Sequence, residues 1–462
     1  MLMQTAAKWA QTEFDGVDLG DARRTARVVK CATALAQTPG GTLPEPLSTW
    51  SELKAGYRLL ANPEVSFERL QQPHWQRTQQ SCGGRGEYLL IEDTTQLDFT
   101  SHEAATGLGR IGDDGGRGFF AHTTLALRVE RWSAEREPVL NLLGLFWQQV
   151  WTRDDPTRKG RVSKSQRLKG PRESQRWAKA FDQSGGPPPG VKWTYVADRE
   201  SDIGEVFAKT HQYGIDFIVR ANQPRAVVAE EGNLFELAAC APVKGGLEVE
   251  LRARPGRPAR TARVQVRARA LTIRGTWRPG GNLPSHTLNV VEIKEKDAPK
   301  DVEPLHWVLL TSWPCETLEE CRSIMQAYCA RWLIEEYHKA LKSGTGMEES
   351  QLSTAHGLQA LLGLLALVAV RLLSLKLAAR AEPDKSVEPE MFGTEALAVL
   401  RAKHGQPKEG WTCRSTLVAI ARLGGFLARK GDGDPGWLTI WRGWRRLVLL
   451  SEGYTLGVER CG

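Results

Sequence analysis

The sequence predicts an α/β protein: a mixed-sheet core with an inserted antiparallel β-domain, flanked by helical N- and C-terminal domains. Three observations predict it. From Glu87 onward, strand-period runs alternate with helical ones. A stretch within residues 222–310 is rich in arginine and alternates in the strand period. Both ends of the chain show helical rather than strand periodicity. At 462 residues there is room for roughly three domains of ~150 residues each. Boundaries at 1–70, 71–355 (with 222–310 as the basic β-subdomain) and 356–462 divide the chain accordingly.

In the first segment, Asp21 is an N-cap ahead of ARRTARVVKCATALAQ, whose Val28, Cys31, Ala32 and Leu35 share one face. Arg23, Arg24, Arg27 and Lys30 ride on the remaining surface. After TPGGTLPEP a second helix runs from Ser48 to Leu60, stopped by Asn62-Pro63, and Ser66 caps a third towards Gln80. EYLLIEDTTQLDF, FFAHTTLALRVE and VLNLLGLFWQQVWT read as a three-stranded meander. A polar stretch, 153–190, holds one helix around Gln175 to Phe181 and leads to the strand VKWTYVAD. The helix SDIGEVFAKTHQ and the strand DFIVRA follow, so the order β-β-β-α-β-α-β is a mixed layer and not a doubly wound one. Arg252 to Arg274 carries eight arginines and no acid, and RVQVRARALTI, LNVVEIKE and LHWVLLTS are strands. A long helix from Leu318 to Gly344 completes the core. From His356 the chain is helical, with a Pro/Glu-rich linker at 382–390.

Composition narrows the classes. With 41% hydrophobic and 25% charged residues, wholesale disorder is excluded. The net charge of +8 favours an anionic partner. Eight scattered cysteines without a C-x-x-C pair argue against a disulfide scaffold or zinc ribbon and fit a reducing compartment. Met1 to Trp9 lacks the pattern of a signal peptide. The most apolar run, Ala360 to Val370, is 11 residues long before Arg371, against about 20 for a bilayer. The expectation is a cytoplasmic protein without a membrane partner.

Asp93 ends the apolar strand LLIED and Asp198 ends YVAD, positions where folding requires no carboxylate. Glu335 lies in the long helix. Carboxylates at strand ends facing a helix suit divalent metals, which take hard oxygen ligands; an Asp after a strand is also an ordinary turn or cap residue. Tyr328, Arg331, Glu335, His338, Lys339 and Lys342 follow one helical stripe, with a single acid among cations. That suits a metal-binding carboxylate among phosphate-binding groups. A solvated basic helix with internal ion pairs is the alternative.

Asp93 in IEDTT, Asp198 in ADRESDI and Tyr328–Arg331–Glu335–Lys342 in YCARWLIEEYHKALKSG resemble the DDE cut-and-paste transposases of bacterial insertion sequences, with the signature Tyr-x2-Arg-x3-Glu-x6-Lys. LGDARRTARVV, AGYRLLANP, PLHWVLLTS and AIARLGGF extend the resemblance nearly end to end. It implies an RNase H-like core in which Asp93, Asp198 and Glu335 hold two Mg²⁺ (or Mn²⁺) ions per active site. It also implies nicking of element ends, hairpin formation and opening, and joining to target DNA.

Tyr328, Arg331 and Lys342 match phosphate-holding positions of the family, with His338 and Lys339 beside them as DNA-binding candidates. Trp307 matches a tryptophan that stacks on an extruded base, Arg220 a DNA-contacting arginine, and Arg23, Arg24, Arg27 and Arg58 the end-recognition region. Trp437, Trp441 and Trp444 share one helical face in what resembles the dimerisation region, so the implied partners are double-stranded DNA and a second copy in a synaptic complex. In a bacterium the protein would sit on the nucleoid. The chain departs from the family at Leu333, Phe119 and Phe120, which bears on end-sequence preference. A metal-dependent nuclease without strand transfer, and a non-catalytic DNA-binding inhibitor, stand as rival functions.

Overall fold

The computed structural model describes residues 5–40, 42–112, 114–133, 137–153, 173–251, 259–278, 281–300, 302–387 and 392–461. Four helices open the chain: α1 (Ala6–Phe14), α2 (Ala22–Gln37), α3 (Trp50–Leu60) and α4 (Phe67–Ser81). Side chains of Thr5, Asp21, Thr49 and Ser66 each accept a backbone N–H of the first turn, which is why the helices begin there. Strands β1 (Gly86–Asp98), β2 (Gly109–Ile111), β3 (Gly116–Arg131) and β4 (Val139–Trp151) form the antiparallel meander the alternation predicts, with the short β2 added at its edge.

Next come α5 (Lys179–Ser184), β5 (Val191–Ala197), α6 (Gly204–Tyr213), β6 (Asp216–Arg220) and α7 (Leu234–Ala239). Strands β7 (Val243–Leu251), β8 (Arg260–Ile273), β9 (His286–Glu295) and β10 (His306–Thr311) follow. They do not make a separate layer. The sheet runs β2-β3-β1-β5-β6-β10-β9-β8-β7 with β4 on β3, so the basic segment extends the central sheet to ten strands. The link is β10, paired antiparallel with both β6 and β9.

The arginine run is also less free than its composition suggests. Arg260 pairs with Glu295, Arg263 with Glu248, Arg269 with Glu230, and Arg267 donates to the Ala241 carbonyl. Those partners come from other strands and loops, where a scan of one segment cannot see them. Arg252, Arg254 and Arg257 lie outside the described residues.

The expected long helix is interrupted. It consists of α8 (Leu318–Ala330), begun by a Thr317/Glu320 capping box, and α9 (Trp332–Lys339), followed by a π-turn at Ala340–Gly344. Arg331 sits at the break, its N–H bonded to the Tyr328 carbonyl in the tighter i→i−3 manner. Four further helices follow among the described residues: α10 (Ala355–Ala381), α11 (Thr394–His404), α12 (Cys413–Leu423) and the terminal α13 (Trp437–Cys461).

Two apolar layers clasp the sheet. One holds Leu89, Ile91, Val196 and Ile218 with α1 to α4 and α8 to α10; the other holds Leu90, Tyr195 and Ala197 with α5 to α7. Helix α10 is long and apolar enough to cross a membrane by length and composition, yet 83% of its most apolar window is buried inside the protein. Gly363 makes that burial possible against α4, because a Cβ there would stand 3.0 Å from Leu70 Cδ1. Gln71 donates to the Gly363 carbonyl at 2.5 Å. Arg371, which breaks the apolar run in sequence, lies with its guanidinium 5.4 Å from the Trp9 ring centroid, and burial pushes its pKa down to about 10.

Candidate active site

Strands β1 and β5 run parallel, with Ile91 opposite Val196. Asp93 and Asp198 each stand two residues beyond that pair: Asp198 just past the end of β5, and Asp93 midway along β1, which does not end there as the sequence suggests but runs on to Asp98 against β3. Side chains alternate across a strand. Both therefore share the face of Ile91 and Val196, against which α9 and Glu335 are packed.

Arg331 joins the group. Its Nη1 donates to Asp93 Oδ2 at 3.0 Å and its Nη2 to Glu335 Oε1 at 3.2 Å. The Thr94 N–H donates to Asp93 Oδ1 at 2.8 Å. Burial pushes the Asp93 carboxyl up to about 6; Arg331 and the Thr94 N–H oppose that rise, while Asp198 and Glu335 add to it. For Arg331, burial works against the charge, but Tyr328, Asp93, Asp198 and Glu335 together hold its pKa above the usual value. The three acids thus share one electrostatic neighbourhood with a cation in its middle.

The donor set fits divalent metal: hard carboxylate oxygens that raise one another's charging cost, which a cation would relieve. Among the described residues no three His, Cys, Asp or Glu side chains converge as a finished cage. Instead the Arg331 guanidinium stands between Asp93 and Glu335.

Around this centre, Trp307 meets Tyr328 edge to face at 5.2 Å between ring centroids, and Tyr328 is itself buried. Arg220 lies close enough to Tyr328 to oppose the burial that raises its pKa, and it donates Nη2 to the His306 carbonyl at 3.1 Å. Lys339 is exposed, with its ammonium 5.4 Å from the Trp332 ring centroid. The π-turn shifts Lys342 out of strict α register, and it pairs with Glu348 at 3.4 Å. His338 is buried, and burial, then Lys342, His122 and Arg331, lower its pKa to about 3, so it is a neutral ring and not a surface cation. Glu336 points the other way, to a buried ion pair with Lys376 at 3.0 Å.

Far along the chain, Arg23 is almost fully exposed beside Asp21, Arg24 donates to the Leu19 carbonyl, and Arg58 is exposed on α3. The tryptophan stripe of α13 is spent largely within the chain. Trp441 covers Gly40, where a Cβ would come within 2.4 Å of its ring; Trp444 meets Phe392; and the Lys376 ammonium lies over Trp437.

Sequence reasoning missed two things here. Glu348 links Lys342 to β1 through the Asp98 N–H. Glu92, beside Asp93, is wholly buried, and the signal for it was an acid inside an apolar run.

Three family models match the chain. Residues 6–65 match a transposase DNA-binding domain, 148–371 a transposase DDE domain, and 367–459 the transposase Tn5 dimerisation domain. The DDE match spans Asp198 and Glu335 but begins after Asp93, which the β1–β5 pairing and the Arg331 fork bring to the same site.

Proposed function

The chain is a DNA transposase of the DDE class with a Tn5-type dimerisation domain, and we propose that it moves its element by cut-and-paste, cleaving element ends through hairpin intermediates and joining them to target DNA. As a member of that class it has an RNase H-like core, is a phosphodiester-cleaving and transesterifying enzyme dependent on divalent metal, binds DNA and forms a homodimer. It acts on DNA in the cytoplasm; association with the nucleoid, and pairing of two ends by the dimer in a synaptic complex, belong to the proposal.

The observation that carries the reading is the Arg331 fork joining Asp93 to Glu335, with Asp198 two residues beyond the β5 residue that pairs with Ile91. In this reading Asp93, Asp198 and Glu335 are the ligands of two Mg²⁺ or Mn²⁺ ions. Such ions supply a lower charge cost for activating water, and then a DNA 3′-hydroxyl, at the scissile phosphate. Arg331 has a second use. Its fork, which engages the Asp93 and Glu335 carboxylates, matches a backbone phosphate equally well, and charge-assisted bidentate contacts of that kind are strong.

The Tyr328 hydroxyl, Lys342 and Lys339 add donors along the same flank, and Arg220 stands beside Tyr328. A hairpin must unstack a base, and an indole face such as Trp307 recovers about 1–3 kcal/mol of that loss. Its edge-to-face contact with Tyr328 supports that role by fixing the ring's orientation. Arg23, Arg24, Arg27 and Arg58 on α2 and α3 bind the element end, and residues 1–70, 71–355 and 356–462 divide end binding, chemistry and dimerisation.

A plasmid carrying the gene with its flanking inverted repeats tests this. With Mg²⁺ the protein should yield nicked ends, hairpins and joined products, and Asp198→Asn should bind ends but cut none. Cutting without hairpins or joining would leave a nuclease and overturn the cut-and-paste reading.

A further inference from the structure

On the face of β1 opposite Asp93, a largely buried polar network ties β1 to β5, the strand that leads to Asp198. Glu92 is fully buried; its Oε1 accepts from the Thr124 hydroxyl at 2.6 Å and its Oε2 from the Tyr195 hydroxyl at 2.5 Å. His122 Nε2 lies 3.2 Å from Glu92 Oε1, and its Nδ1 hydrogen-bonds the Thr94 hydroxyl at 2.7 Å. Trp177 closes the network, its ring centroid 4.6 Å from that of His122. Glu92 and Thr94 are the two residues flanking Asp93, and Tyr195 stands three before Asp198.

An ionisable carboxylate in such a place is a liability for folding, and hydrophobic residues of similar volume commonly serve stability as well or better. What an apolar core would lack is direction. Hydrogen bonds of 2.5–2.6 Å fix the height of β1 against β5 and β3, where apolar side chains tolerate small slips. We propose that Glu92, held by Tyr195 and Thr124, is a positioning residue that sets Asp93 and Asp198 level with each other at the site.

The inference rests on the reading of those two aspartates as ion ligands. Its test is a titration of the full chain with Mn²⁺ alone, free ion read by electron paramagnetic resonance, beside thermal unfolding of each variant. Tyr195→Phe and Glu92→Leu should each raise the Mn²⁺ concentration for half-saturation about tenfold, in the range for supporting hydrogen bonds around metal ligands. Glu92→Gln, which keeps an acceptor for Tyr195 and offers an amide N–H to the Thr124 hydroxyl in place of the present acceptor, should restore ion binding to within roughly threefold. Glu92→Leu combined with Tyr195→Phe, which removes both partners, should recover Tm over Glu92→Leu alone while keeping the raised half-saturation, the split that a merely structural role would not produce.

Should Glu92→Leu fail to fold, Tyr195→Phe carries the test alone. Wild-type binding that Asp93→Asn abolishes but Tyr195→Phe and Glu92→Leu leave untouched overturns the inference only. Wild-type binding absent, or indifferent to Asp93→Asn, overturns the reading of the site and the inference with it.

Discussion

Arg331 Nη1 meets Asp93 Oδ2 at 3.0 Å across 238 residues of chain. The contact closes one side of a fork whose other tine reaches Glu335. Arg331→Lys keeps the charge but loses the fork, so it should bind DNA ends yet cleave them roughly 100-fold more slowly or worse, the scale for losing one preorganised donor. Single-turnover cleavage of an end-bearing DNA measures it; near-normal cleavage by the lysine variant would show that charge alone suffices.

Lys376 and Glu336 are each at most 7% exposed and bind one helical turn of α10 to the turn that carries Glu335. Lys376→Met should cost about 3–5 kcal/mol by removing one side of a buried ion pair. Adding Glu336→Leu should return most of that loss. Urea unfolding of the single and double variants reads both, and equal loss in the two would mean the charges are not coupled.

Acid should loosen the N-terminal helices from α4. Burial raises the Glu13 carboxyl, but His74 and Arg77 outweigh it and its pKa lies below the ordinary 4.5. A carboxylate depressed in the folded state adds stability that is present above pH 4.5 and lost as pH falls through its folded value. Tm should therefore drop more steeply below that pH in the wild type than in Glu13→Gln. Parallel profiles would remove Glu13 from the acid response.

In the C-terminal module two glycines let α12 and α13 touch backbone to backbone: a Cβ on Gly443 would fall 1.7 Å from the Ile420 carbonyl oxygen, and one on Gly424 1.8 Å from that of Thr439. Gly443→Ala should destabilise this pair by about 1–3 kcal/mol or more through overpacking. Dimerisation, read by analytical ultracentrifugation, should weaken while end binding by the isolated monomer persists. An unaltered dimer would place the self-association elsewhere.

Much of this was legible in the sequence because it is local. Caps such as Asp21 and Ser66, the alternation of β1, β3 and β4, and the apolar character of α10 are set by neighbours in the chain. Pairing across distance was not. The arginines of β8 look free until Glu295, Glu248 and Glu230 arrive from elsewhere, and nothing in the basic segment announces that β10 welds it to β6. At the site, the spacing from Tyr328 to Lys342 predicts one ideal helix. The break at Arg331 and the π-turn change which members face out, leaving Lys339 exposed while His338 is buried.

The most direct test replaces Mg²⁺ with Fe²⁺ in the DNA-bound protein and maps where locally generated hydroxyl radicals cut the polypeptide. The account predicts cuts beside Asp93, Asp198 and Glu335 together, all lost in Asp198→Asn. Cuts confined to other segments, or a pattern unchanged by that substitution, would contradict it.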